Sequence, residues 1–146
     1  MTLAVAERWE IEGWTNWSVK AGVHHVQPPA AVLESMVTLR IQLDDCGADN
    51  GPLRVLSGTH RMARIKGKAI ASLRSKIAEV ACIAPAGSVL AFKPLLLHAS
   101  SPAKVPCHRR VIHLEYAPTN LLPPALRWAY AATDGDPTEM NRSAGT

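Results

Sequence analysis

The stretch Gly87–Tyr116, GSVLAFKPLLLHASSPAKVPCHRRVIHLEY, decides how the chain is read. Ser88–Leu97 is apolar enough for a buried strand that runs up to His98. A polar turn follows, and a second strand opens with Arg109 and Arg110 and continues to Tyr116. Alternation along that strand sends only one of the two arginines inward. A histidine at a strand end is a candidate metal ligand, and an arginine one strand later is a candidate fork for a carboxylate.

Working outward, Val37–Leu43, VTLRIQL, is the cleanest strand in the chain: Val37, Leu39, Ile41 and Leu43 share one face and Thr38, Arg40 and Gln42 the other. If the apolar face meets the core, Arg40 points at solvent or into a polar cavity. Asp44–Gly51, DDCGADNG, is a turn cluster whose Asn50-Gly51 signals a hairpin, with Leu53–Leu56 as the returning strand. Asp44 and Asp45 read as turn formers, and His60 and Arg61 as turn and cap residues after that strand. Lys66–Ile77 reads as a surface helix inserted between strands, and Val80–Ile83 begins the next strand. Toward the N-terminus, Met1–Ile11 starts as a strand and Trp17–Val23 is a short one. HHVQPP is an extended loop held by Pro28 and Pro29, and Ala30–Met36 forms two turns of helix. Trp9, Trp14 and Trp17 crowd together as packing residues at a sheet edge or pocket mouth.

Short strands, turn signals and one or two short helices imply an all-β jelly roll, a double-stranded β-helix of cupin-like type. We expect one such domain over residues 1–132 and a disordered, polar tail over 133–146. A chain of 146 residues suits one domain and one site. With 47% hydrophobic and 19% charged residues it has an ordinary globular composition. No stretch reaches the roughly 18 apolar residues of a membrane span, and Met1–Ala6 is too short for a signal peptide, so a cytoplasmic location is expected. The net charge of +4 comes from dispersed basic residues. The basic run Arg61–Lys76 has no interleaved aromatics, so nucleic acid is not expected as a partner. Cys46, Cys82 and Cys107 are odd in number and far apart, which argues against a disulfide framework or a zinc site.

The blocks LDDCGADNGPLRVLSGTHR (Leu43–Arg61) and APAGSVLAFKPLLLHASSPAKVPCHRR (Ala84–Arg110) resemble the phytanoyl-CoA dioxygenase family of Fe(II)/2-oxoglutarate oxygenases. Lys20–Pro29, KAGVHHVQPP, is similar to a segment of bacterial members. The resemblance implies Fe(II) as cofactor, 2-oxoglutarate as co-substrate and hydroxylation of a small molecule. It identifies His98 with the distal iron-binding histidine. Arg109, eleven positions on, corresponds to the arginine that pairs with 2-oxoglutarate, and Ser100 to a hydroxyl on the same carboxylate. It places Arg40 against the co-substrate, and Lys20 and His25 facing the substrate pocket.

The family's H-x-D, which supplies the first histidine and the carboxylate ligand, has no counterpart. The only H-x-[DE] is His113-Leu114-Glu115, on the arginine strand and out of order. The resemblance therefore implies a jelly roll incomplete at its N-terminus, without activity in this form. The alternative is a non-catalytic jelly-roll module in which Arg40, Lys20 and Arg109 grip an anionic small molecule.

Overall fold

A computed structural model describes residues 1–105, 107–118 and 120–130. The expected tail at 133–146 lies outside them. The described residues are mostly β, with two short helices, and all strand pairing is antiparallel. No helix among them is long and apolar enough to cross a membrane. Contacts divide the chain into two compact units: residues 2–27 with 122 onward, and 28–121 with Met1.

In the first unit β1 (Leu3–Val5), β2 (Thr15–Lys20) and β3 (Val23–Gln27) form a sheet of order β1-β3-β2. Leu3, Val5 and Val26 are buried in it, together with Trp14 and Leu126. Two expectations change here. The strand expected over Trp17–Val23 turns at Ala21-Gly22, both at positive φ, and becomes a hairpin. The expected loop HHVQPP is largely β3, because His24 and His25 pair with strands on both sides.

The second unit holds α1 (Ala30–Ser35), β4 (Val37–Gln42), β5 (Leu53–Leu56), a 3-10 turn at Thr59–Arg61, α2 (Gly67–Lys76), β6 (Glu79–Cys82), β7 (Val89–Phe92), β8 (His98–Ser100) and β9 (Val111–Tyr116). These strands make two sheets, β7-β4-β9 and β6-β5-β8. The chain passes back and forth between the sheets, and their facing sides meet where Phe92 packs on Leu53 and Val55 with Cys82, Leu90 and Leu96 around them. This is the jelly-roll class expected from the strand pattern. α2 buries no residue, as expected of a surface helix.

Three readings of this unit are corrected. The apolar face of β4 is not its core face: Thr38, Arg40 and Gln42 are 3%, 7% and 1% exposed, whereas Val37, Leu39 and Ile41 are half-buried and Leu43 is 45% exposed. Alternation separates two faces but cannot say which is inner when the interior is polar. Asn50-Gly51 does not close a hairpin either, since β4 pairs with β7 and β9 while β5 pairs with β6 and β8. The turn cluster is a crossover between sheets. Asn50 Nδ2 ties it down by donating to the carbonyls of Asp45 and His108 at 3.1 and 3.3 Å. Finally, the strand expected to run from Ser88 to His98 ends at Phe92. Pro94 offers no N–H to a ladder, the chain turns through Lys93–Leu96, and β8 joins the other sheet.

Candidate functional site

The inner faces of the two sheets bring most of the predicted residues together. On one sheet Arg40 lies opposite His113, Thr38 opposite Glu115 and Gln42 opposite Val111, so His113 and Glu115 share the face of Arg40. On the other, His98 pairs with Val55 and Ser100 with Leu53, the two β5 residues in the core, so alternation gives both the inner side of β8, an edge strand whose three residues are exposed.

His98 is held by two contacts. Its ring stands edge-on to Phe92 with centroids 5.4 Å apart, and its Nδ1–H donates to the Leu96 carbonyl at 2.8 Å. A backbone partner on Nδ1 leaves the Nε2 lone pair outward, the form a metal takes. The turn before His98 is anchored by Thr59, a fully buried residue in the S-G-T-H-R block. Thr59 Oγ1 donates to the Leu56 carbonyl at 2.7 Å and accepts from the Leu97 N–H at 3.0 Å. Sequence reading passed over Thr59 because a threonine before His60 looks like turn chemistry. The signal was its place in the block that carries the resemblance.

Arg109 and Arg110 precede β9 rather than open it. Arg110 turns outward onto Asp44, whose carboxylate accepts from its backbone N–H at 2.7 Å, its Nε at 3.0 Å and its Nη2 at 2.7 Å. These hydrogen bonds pull the Asp44 carboxyl down to about 2. Arg109 is half-buried and its Nη1 donates to the Gly51 carbonyl. Gly51 has φ +60, and a Cβ there would collide with the Ser101 carbonyl and lie 2.7 Å from Arg109 Nη1. The glycine of Asn50-Gly51 thus leaves room for the arginine.

Arg40 Nη1 donates to His113 Nε2 at 3.1 Å, while Arg40 Nε is buried with no acceptor among the described residues. Burial, and then the charge of Arg109, lower the Arg40 pKa from its ordinary value. Burial, and then the charges of Arg40 and His98, lower that of His113. Gln42 Oε1 is likewise buried without a partner. The interior therefore holds two guanidiniums with hydrogen-bonding capacity in excess, the electrostatics of a site that takes an anion.

Lys20 and His25 belong to the unit of residues 2–27. There Lys20 Nζ donates to Thr2 Oγ1 at 3.4 Å, and His25 Nδ1 donates to the Val23 carbonyl at 3.0 Å. All three cysteines are free. Among the described residues no three His, Cys, Asp or Glu side chains come together as a metal site. His98 has the form of one ligand, but the described residues do not complete the set of three that an iron site with open positions needs.

A jelly roll with a histidine at a strand end and an interior arginine defines a class of oxygenase-like proteins. The profile of the phytanoyl-CoA dioxygenase (PhyH) family matches residues 11–111, and the chain belongs to that family. Among solved structures it is similar to AviO1 from Streptomyces viridochromogenes Tue57, at 30% identity and TM-score 0.53 over 61% of this chain and 39% of that one. It is also similar to EctD from S. alaskensis in its apoform, at 26% identity and TM-score 0.51 over 56% of this chain and 31% of that one. EctD is also known with bound Fe, and that structure matches equally well at TM-score 0.51. The chain thus spans between 31% and 39% of the length of these structures. No curated protein matches it significantly.

Proposed function

We propose that the interior of the second unit is the co-substrate half of a 2-oxoglutarate oxygenase site, of the kind that hydroxylates a small molecule. Arg109 and Ser100 hold the distal carboxylate of 2-oxoglutarate, Arg40 adds a second cation, and His98 offers one ligand to Fe(II). Lys20 and His25 are assigned to the substrate. The observation that carries this reading is the buried Arg40 guanidinium, which has a histidine for its only hydrogen-bond partner among the described residues and a second guanidinium nearby. A buried N–H without an acceptor costs roughly 1–3 kcal/mol, which a bound carboxylate would offset.

A dicarboxylate fits these residues; iron does not, because the described residues offer it one histidine, which gives neither the affinity nor the geometry of a facial site. We therefore assign anion binding to this chain and no turnover. The same guanidinium pair supports a second reading, a non-catalytic module that binds an anionic small molecule without metal.

Anaerobic titration with 2-oxoglutarate, with and without Fe(II), tests both. Saturable 2-oxoglutarate binding that Arg109→Met abolishes is the expected result, with no charge-transfer absorbance on adding Fe(II) and no succinate in air. Absence of any binding would sink the assignment. A charge-transfer band with succinate release would show an iron site that the described residues do not account for.

A further inference from the structure

We propose that the cavity between α2 and the outer side of the β6-β5-β8 sheet binds a small monocarboxylate with a short aliphatic chain. The cavity is about 180 Å³. It opens on the other side of the sheet from the anion site above and shares only His98 with it: alternation along β5 puts Leu53 and Val55 on the inner face and Arg54 and Leu56 on the outer one, and Arg54 and Leu56 line this cavity.

Its walls have the two parts of an amphipathic ligand. Leu56, Ile70, Leu97 and Ala99 make an apolar side. Arg54, Arg74, Glu79 and His98 make a polar one. Arg54 Nη1 donates to Glu79 Oε1 at 2.7 Å, which uses the only carboxylate in the lining. Arg54 Nε remains buried with no acceptor, and Arg74 has no ion pair among the described residues. Two guanidiniums against one carboxylate leave a net positive charge and an unused donor, so the missing group is an acceptor with a negative charge. The field around it has the same sign, since Arg61, Arg64, Lys66, Lys68 and Lys76 flank the cavity in sequence with no acidic residue between them.

The apolar wall sets the rest of the ligand. α2 buries none of its residues, and Ile70 stays half-exposed on the side that lines the cavity. An aliphatic chain lying under Ile70 would complete that contact. A second charge on the ligand would fall among Leu56, Ile70 and Leu97, which disfavours dicarboxylates. At about 30 Å³ per water, the volume holds roughly six waters, the room of a ligand with about eight non-hydrogen atoms. Hexanoate has that size. A ligand so small is expected to bind with a Kd of about a millimolar.

The test is titration of the whole chain with hexanoate, 1-hexanol and glutarate, followed by NMR or calorimetry, with Arg74→Gln and Ile70→Trp as variants. Both positions lie on the exposed helix, and unchanged melting temperatures will confirm that the variants fold. Saturable hexanoate binding, weakened at least about tenfold in each variant and in the two other ligands, is the expected result. Binding of 2-oxoglutarate stays unchanged in both variants, which separates this site from the inner one. No saturable hexanoate binding, or equal binding by the Ile70→Trp variant or by hexanol, overturns the proposal.

Discussion

Arg40 on β4 and His113 on β9 sit directly opposite each other, with Nη1 and Nε2 3.1 Å apart, and among the described residues the imidazole is the guanidinium's hydrogen-bond partner. The contact requires His113 Nε2 to accept, so His113 is neutral with its proton on Nδ1. The histidine thereby fixes where the remaining Arg40 donors point. His113→Leu is expected to weaken 2-oxoglutarate binding about tenfold, roughly 1.4 kcal/mol. His113→Gln, which keeps an acceptor, should bind within about threefold of wild type. Calorimetric titration checks both.

The same pair sets a pH response. The folded state lowers the His113 pKa, by burial first and then by the charges of Arg40 and His98, so it takes up the proton less readily than the unfolded chain. This contribution to stability is fully present above the ordinary histidine value of about 6.5 and is lost as pH falls below it. Between pH 7 and pH 5 the melting temperature of wild type should fall further than that of His113→Gln. Equal slopes would show that His113 does not titrate against Arg40.

Asp44 acts in a lower window. Hydrogen bonds from the Arg110 side chain, and then from its backbone, bring the carboxyl from 3.8 to about 2. Because the folded pKa lies below the unfolded one, the stabilisation is present above pH 3.8 and disappears as pH approaches 2. Asp44→Asn should flatten the acid limb of the stability curve in that interval, read by thermal melts at constant ionic strength.

Gly51→Ala combines a positive φ with a Cβ that meets Arg109 Nη1 and the Ser101 carbonyl. Backbone strain alone costs about 1–3 kcal/mol, and the collision adds displacement of Arg109. Chemical denaturation should show a loss of about 2 kcal/mol or more, and 2-oxoglutarate binding should weaken in the same variant.

Thr59→Val removes the hydroxyl that links Leu56 to Leu97, one residue before His98. A buried carbonyl and a half-buried N–H then lose this partner, an expected cost of about 2 kcal/mol. Thr59→Ser keeps the hydroxyl and loses one methyl, for about 1 kcal/mol. Urea midpoints for the two variants give the comparison directly.

What could be read from the chain alone was mostly local. The period-two pattern of Val37–Leu43 gave β4, the helix formers of Lys66–Ile77 gave α2 nearly to its ends, and the blocks around Asn50-Gly51 and His98 led to the family. Alternation also indicated that only one of Arg109 and Arg110 turns inward, because neighbours on an extended chain face opposite sides, and the resemblance singled out Arg109.

Only the tertiary structure decided which strands pair and which face of each is inner. Asn50-Gly51 has the composition of a hairpin turn, yet partners 58 residues away in sequence, His108 and Arg109, claim its side chain and carbonyl and make it a crossover. The segment Gly87–Tyr116 likewise looked like two strands, one ending at His98. In the fold Pro94 breaks the first, so that His98 and Phe92 face each other from different sheets. For β4 the reversal has one physical cause: hydropathy predicts an apolar interior, but this interior holds paired cations, so Thr38, Arg40 and Gln42 went inside and Leu43 stayed out. Sequence determines the chemistry a strand can offer to each side; long-range pairing determines which side becomes the site.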